Sequence, residues 1–300
     1  MATTGNPTKE AMQDRNNLYR GAFEVELAGV PVCMAQLRGA GTHRFMLLHG
    51  NPGSMHLDFG ALVDPLGRLG QVAAFDMPGL GRSPTPNRSE ELSLDTLAEV
   101  TLAAIDHLDW ERTVVVGHSH GGGVAQRLAA RWPARIAGLV LIGTLGVPAH
   151  ASYKLLPLPG ADRIMGLGNW LLPRLPASIR PNVVRAFMDP TFAPGRASDA
   201  EVADYCALLT EQPHILRNMA WLTRGNPCRL LARDAHRIAA PTLIVHGKAD
   251  PIVPIRHGRG VSELIRGARF VELEGGHGLP SRAPGRIVAE IRSFLEAFAR

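Results

Sequence analysis

Four short, unbroken apolar runs set the terms for this chain: residues 45–48, 72–75, 114–116 and 139–142. A strand with one wet face alternates apolar and polar residues. An unbroken run belongs to a strand buried on both faces, as in a parallel sheet covered by helices on either side. Between these runs, residues 94–108 carry Leu94, Leu97, Ala98, Leu102, Ile105 and Leu108 near helical spacing. Residues 124–131 follow the same rule, and Trp132-Pro133 ends them. Two further strands are expected at 242–245 and 269–273. A last helix is expected at 284–298, with Ile287, Val288, Ile291, Phe294 and Leu295 on one face. Near the start, 22–27 and 32–37 read as a hairpin around Ala28-Gly29-Val30-Pro31. Strand alternating with helix predicts an α/β fold with a doubly wound, mostly parallel sheet.

The pattern breaks between residues 146 and 240. Prolines cluster there (Pro148, Pro157, Pro159, Pro173, Pro176, Pro181, Pro190, Pro194), and only helical periodicity remains. Short helices are expected at 162–172, 179–188, 199–209 and 214–222. The expected organisation is one core domain, residues 1–145 and 241–300, interrupted by a helical lid over 146–240.

Composition removes several classes of function. Lys+Arg 32 against Asp+Glu 27 gives a net charge of +5, too slight over this length for a nucleic-acid binder. Three scattered cysteines, Cys33, Cys206 and Cys228, make neither a disulfide frame nor a zinc site. Residues 1–15 are polar, without the apolar stretch of a signal peptide. The longest uncharged apolar run, 136–149, is shorter than the roughly 18 residues of a membrane helix. The chain is expected to be soluble and cytoplasmic, with no membrane partner.

The chemistry centres on Gly117-His118-Ser119-His120-Gly121, which stands directly after the apolar run 113–116 and opens a helix. A serine at the apex of so sharp a turn needs small neighbours two residues away, and glycine occupies both places. Its hydroxyl is a weak nucleophile until an oriented base removes the proton. Among twelve histidines, His277 is the candidate base, because Glu274-Gly275-Gly276-His277-Gly278 lies just past the last expected strand. His118 and His120 flank Ser119 but diverge from it, and His257 sits at the start of an expected helix and has no such glycine loop. Asp250, in the loop after strand 242–245, is the candidate orienting acid, with Glu272 and Glu274 as fallbacks. A developing oxyanion needs backbone donors. One is expected from His120. The other is expected from Asn51 in His49-Gly50-Asn51-Pro52-Gly53-Ser54, because Pro52 has no N–H.

These segments, with Phe75-Asp76-Met77-Pro78-Gly79-Leu80-Gly81-Arg82-Ser83, resemble the α/β-hydrolase superfamily in order and spacing, from about residue 21 to the end apart from the lid. The resemblance implies an α/β-hydrolase fold, a Ser119–Asp250–His277 triad, oxyanion donors at Asn51 and His120, and no metal or organic cofactor. It gives the segment 76–83 a structural role only. The loop 49–52 is similar to that of haloalkane dehalogenases and epoxide hydrolases, but those use an aspartate nucleophile where this chain has Ser119. Proline iminopeptidases favour glycine at the place of Asn51.

The expected reaction is hydrolysis of a small-molecule carboxylic ester, or a related acyl bond, through an acyl-enzyme. Two alternatives stay open: carbon–carbon bond hydrolysis of a β-diketone or dienoate by the same triad, and a non-hydrolytic lyase or oxygenase on this fold. The apolar residues Met165, Trp170, Leu171, Phe187, Met188, Phe192, Met219 and Trp221 are candidates to line an apolar cleft. Eleven basic residues stand against seven acidic ones between 147 and 240. One or two lid arginines are therefore expected to meet an anionic group of the substrate.

Overall fold

The computed structural model describes residues 17–147, 155, 158–212, 214–224 and 226–298. The polar stretch 1–15, Pro148, Lys154 and Pro157 lie outside the described residues.

Eight strands form one sheet: β1 (Phe23–Leu27), β2 (Val30–Leu37), β3 (His43–Leu48), β4 (Gly70–Phe75), β5 (Thr113–His118), β6 (Ile136–Ile142), β7 (Thr242–Gly247) and β8 (Arg269–Leu273). Their order is β1-β2-β4-β3-β5-β6-β7-β8. β2 is antiparallel to both its neighbours, β1 and β4, and every other pairing is parallel. The hairpin turn is tighter than expected. Ala28 and Gly29, both at positive φ, make it alone, and Val30 and Pro31 already belong to β2.

The unbroken apolar runs become the middle of the sheet. Every residue of β5 and β7 is buried. Helices cover both faces. On one side lie α1 (Met55–Gly67), which was not read from the sequence, and the C-terminal helix Pro284–Phe298, with Phe59, Leu62, Leu66, Ile287 and Ile291 buried against the strands. On the other lie α2 (Leu94–His107) and α3 (His120–Arg131). Each fully buried Leu, Ile or Phe here contributes roughly 1.5–3 kcal/mol, so both faces are needed to hold the central strands.

β6 and β7 are neighbours in the sheet, yet the chain between them is long and helical. It contains α4 (Ala161–Leu171), α5 (Arg180–Met188), α6 (Asp199–Glu211), α7 (Ile215–Trp221) and α8 (Pro227–Asp234). α4 and α5 leave Ile164, Leu167, Trp170, Leu171, Val183 and Phe187 exposed. α9 (Arg256–Leu264) follows β7. After β8, α10 (Leu279–Arg282) leads into the C-terminal helix, α11.

Candidate active site

Ser119 joins β5 to α3 at φ 52°, ψ −115°, a backbone conformation that costs a non-glycine residue about 1–3 kcal/mol. The surroundings impose it. Its N–H donates to Ile142 at the end of β6 (3.0 Å), and its carbonyl accepts from Gly122 and Leu145. The flanking glycines are steric necessities. A Cβ on Gly121 would lie 2.0 Å from the Leu48 carbonyl oxygen, and one on Gly117 would lie 2.5 Å from that of Gly121.

His277 stands on the loop after β8, with Nε2 2.9 Å from Ser119 Oγ and Nδ1 2.7 Å from Asp250 Oδ2. Asp250 stands on the loop after β7. Its Oδ1 accepts from the N–H groups of Ile252 (2.9 Å) and Val253 (2.8 Å). Burial pushes the Asp250 carboxyl up, but His277, the Val253 N–H and His246 outweigh it and hold it below the usual carboxylate range. His246, fully buried on β7, donates from Nε2 to the Val253 carbonyl (2.7 Å) and so fastens the same loop. The structure thus brings together the three residues expected from the sequence. Glu274 instead pairs with Lys248, and Glu272 with Arg259.

Asn51 and Ser119 line a common cavity of about 250 Å³ with His277. His120 is the first residue of α3, at the helix end whose N–H groups face outward. Asp76 has the structural role expected of its segment. Its buried carboxylate accepts from Met55 N–H (2.7 Å), Arg82 N–H (2.7 Å) and Tyr19 O–H (2.8 Å).

Of the candidate lining residues, Phe187, Met188 and Met219 face this cavity, joined by Ile252, Val253 and Tyr205. Trp170 and Leu171 are exposed, and Trp221 donates to Asp162. Among the described residues no lysine or arginine lines the cavity. Arg185, Arg196, Arg224 and Arg233 pair with Asp199, Asp189, Asp162 and Asp234 instead. A second cavity of about 600 Å³ shares Asp58, His118, Thr191 and Tyr205 with the first, and its two arginines are Arg68, just past the end of α1, and Arg282 of α10.

Two members of the site escaped the sequence reading. His118 diverges from Ser119 Oγ as expected, but its ring lies beside His277, with centroids 4.9 Å apart. Its Nδ1 is 2.7 Å from Asp58 Oδ2. The available signal was Asp58 itself, a carboxylate on the same helical stripe as Leu62 and Leu66 and hence on a face that must be buried.

Comparison with known proteins decides the family. A relative from Cupriavidus pinatubonensis, "2-hydroxy-6-oxononadienedioate/2-hydroxy-6-oxononatrienedioate hydrolase", is 30% identical over 73% of this chain and 75% of its own. The family described as alpha/beta hydrolase fold matches residues 44–175, and the one described as serine hydrolase (FSH1) matches 206–287. The chain belongs to the α/β-hydrolase family. It is a hydrolase. Another relative of this α/β hydrolase, a poly(3-hydroxyalkanoate) depolymerase from Ectopseudomonas oleovorans, is 27% identical over 69% of this chain and 68% of its own. The fold is shared with a hydrolase from Pseudomonas aeruginosa, with a TM-score of 0.76 at 24% identity over 92% of this chain and 98% of that one. Among the described residues no helix is long and apolar enough to cross a membrane.

Proposed function

We propose that this α/β hydrolase cleaves a small-molecule carboxylic ester through an acyl-enzyme on Ser119. The observation that carries the reading is the unbroken chain from Asp250 Oδ2 through His277 to Ser119 Oγ, at 2.7 and 2.9 Å, opening on a cavity with Phe187, Met188, Met219, Ile252 and Val253 in its wall. His277 Nε2 takes the Ser119 proton as Oγ bonds to the acyl carbon. The N–H groups of Asn51 and His120 hold the oxyanion. His277 then gives that proton to the leaving alcohol. In the second half it takes a proton from water, which attacks the acyl carbon, and returns that proton to Ser119 Oγ as the acyl–oxygen bond breaks and the acid leaves. Asp250 stays ionised throughout and keeps the His277 Nδ1–H in place. Residues 1–145 and 241–300 form the core in this reading, with 146–240 as a lid that supplies Phe187, Met188 and Met219 to the cavity.

A neutral, apolar acyl group suits a cavity without lysine or arginine. Among the described residues, an anionic group on the other part of the substrate would meet an arginine in the adjoining cavity at Arg68, since Arg282 there pairs with Glu201. A second reading, carbon–carbon bond hydrolysis of a dienoate by the same three residues, is favoured by the relative named for such a substrate.

Rapid-quench mass spectrometry during turnover separates the two. With short-chain p-nitrophenyl esters, the expected result is a burst of nitrophenol and an acyl mass on Ser119. Turnover of a 2-hydroxy-6-oxo-dienoate, with no ester hydrolysis above background, would replace the first reading by the second.

A further inference from the structure

A second buried carboxylate–histidine pair lies against the first. Asp58 Oδ2 accepts from His118 Nδ1 at 2.7 Å and from the Gly50 N–H at 2.5 Å. His118 Nε2 faces the backbone carbonyl oxygen of His277 at 3.1 Å. A carboxylate and a carbonyl both offer only lone pairs, so each ring nitrogen must donate, and only the imidazolium carries two N–H groups. Space at the junction is tight: a Cβ on Gly50 would stand 3.1 Å from Ser119 Cβ and 3.2 Å from His118 Nδ1.

The geometry points to His118 as a positioning residue: its imidazolium, held by Asp58, ties the His277 loop to the Gly50–Asn51 loop and so sets the base against the oxyanion donors. This rests on the reading of Ser119 and His277 as nucleophile and base.

The surroundings agree with a charged pair. Asp58 faces His118 from α1, and His277 faces it from the loop after β8. Asp250 and His246 act on it from the loop after β7 and from β7 itself, and His49 acts on Asp58 from the loop after β3. Tyr205 of α6, beside Asp58, is kept neutral chiefly by burial. Burial opposes charge on both partners, but their mutual attraction and hydrogen bond prevail. His118 is raised above its ordinary value and Asp58 is lowered below its own.

Loss of the His118 proton has a defined consequence. With Nδ1–H retained by Asp58, the neutral ring turns the Nε2 lone pair on the carbonyl of His277. The contact becomes repulsive and the base loses its anchor. The opposite tautomer sets a lone pair against the carboxylate, which is worse.

The test is the pH dependence, from about pH 6 to about pH 10, of Ser119 labelling by a fluorophosphonate in wild type, Asp58→Asn and His118→Gln. Formation of the wild-type adduct tests the nucleophile, and the shape of the curves tests the positioning pair, so the two can fail separately. Removing the Asp58 charge should bring the basic fall in rate to a pH lower by about one unit or more than in wild type. His118→Gln should label between about tenfold and a hundredfold more slowly and lack that fall. An Asp58→Asn curve that is a scaled copy of wild type, or a His118→Gln curve that keeps the wild-type fall, would overturn the proposal. Should either variant fail to fold, nitrogen-15 NMR of the wild-type histidines decides. Both ring nitrogens of His118 should still be protonated at the ordinary histidine value of about 6.5, and a neutral ring there overturns the proposal equally.

Discussion

The two carboxylate–histidine pairs beside Ser119 are alike in their first contact and opposite in their second. Asp250–His277 and Asp58–His118 both close Nδ1 to Oδ2 at 2.7 Å, and both carboxylates accept backbone N–H groups. They differ in what Nε2 meets. For His277 it is a hydroxyl, which can donate as well as accept, so a neutral ring can take a proton from it. For His118 it is a carbonyl, which can only accept, so the ring must keep both of its own protons. In the reading proposed above, one pair exchanges a proton and the other holds one. The partner of Nε2, not the carboxylate, separates a base from a clamp.

Substitutions can break this contrast at several strengths. His277→Ala removes the proton acceptor and should lower kcat about 10⁴-fold or more, with the circular dichroism spectrum unchanged. Retention of wild-type activity would place the base elsewhere. Asp250→Asn should lower kcat roughly 10³- to 10⁴-fold, because the amide no longer fixes the His277 tautomer. If Asp58→Asn were the more damaging of the two in ester turnover, the roles of the pairs would be reversed.

Asp58→Ala has a different readout, stability. It strips a buried imidazolium of its counter-charge and should cost about 3–5 kcal/mol in urea denaturation. A loss well under 1 kcal/mol would show that His118 carries no charge.

The mildest expected effect is the pH dependence of stability. Asp58 and Asp250 are held below the ordinary carboxyl range. Their contributions are complete above the unfolded value near 3.9 and are lost as pH falls through the folded values. His118 is raised, so its contribution is complete below the unfolded value near 6.5 and lost as pH rises through the folded value. The wild-type urea midpoint should therefore fall below about pH 4, and less steeply in Asp58→Asn. A midpoint flat to about pH 3 would contradict the buried carboxylates as described.

The contrast also marks what could be read from the chain. Ser119, His277 and Asp250 were legible because each follows an apolar run that had to be a strand, and loops at the carboxyl ends of parallel strands converge. The helical stretch between β6 and β7 was legible from its missing strand pattern. α1 was not, because its cap Ser54 sits inside the loop 49–54 and Pro65 interrupts its last turn. α9 was legible only at its start, near His257, because Arg256, Gly258, Arg259 and Gly260 leave it few apolar residues. The start of α3 was legible to within two residues, near Gly122 rather than at His120, because Gly121, Gly122 and Gly123 owe their helical state to close packing on β3 and Thr144 rather than to propensity. The Asp58–His118 pair joins residues 60 positions apart through a helix the sequence did not disclose, so its one local signal, Asp58 in step with Leu62 and Leu66, had no expected element to stand on.

The central claim is that Ser119 is an activated nucleophile. Treating the native protein with a fluorophosphonate at neutral pH, then measuring intact mass and mapping peptides, tests it most directly. One adduct on Ser119, formed by wild type and absent from Ser119→Ala and His277→Ala, is the predicted result. A native protein that takes up no label, or takes it up on another residue, would contradict the account.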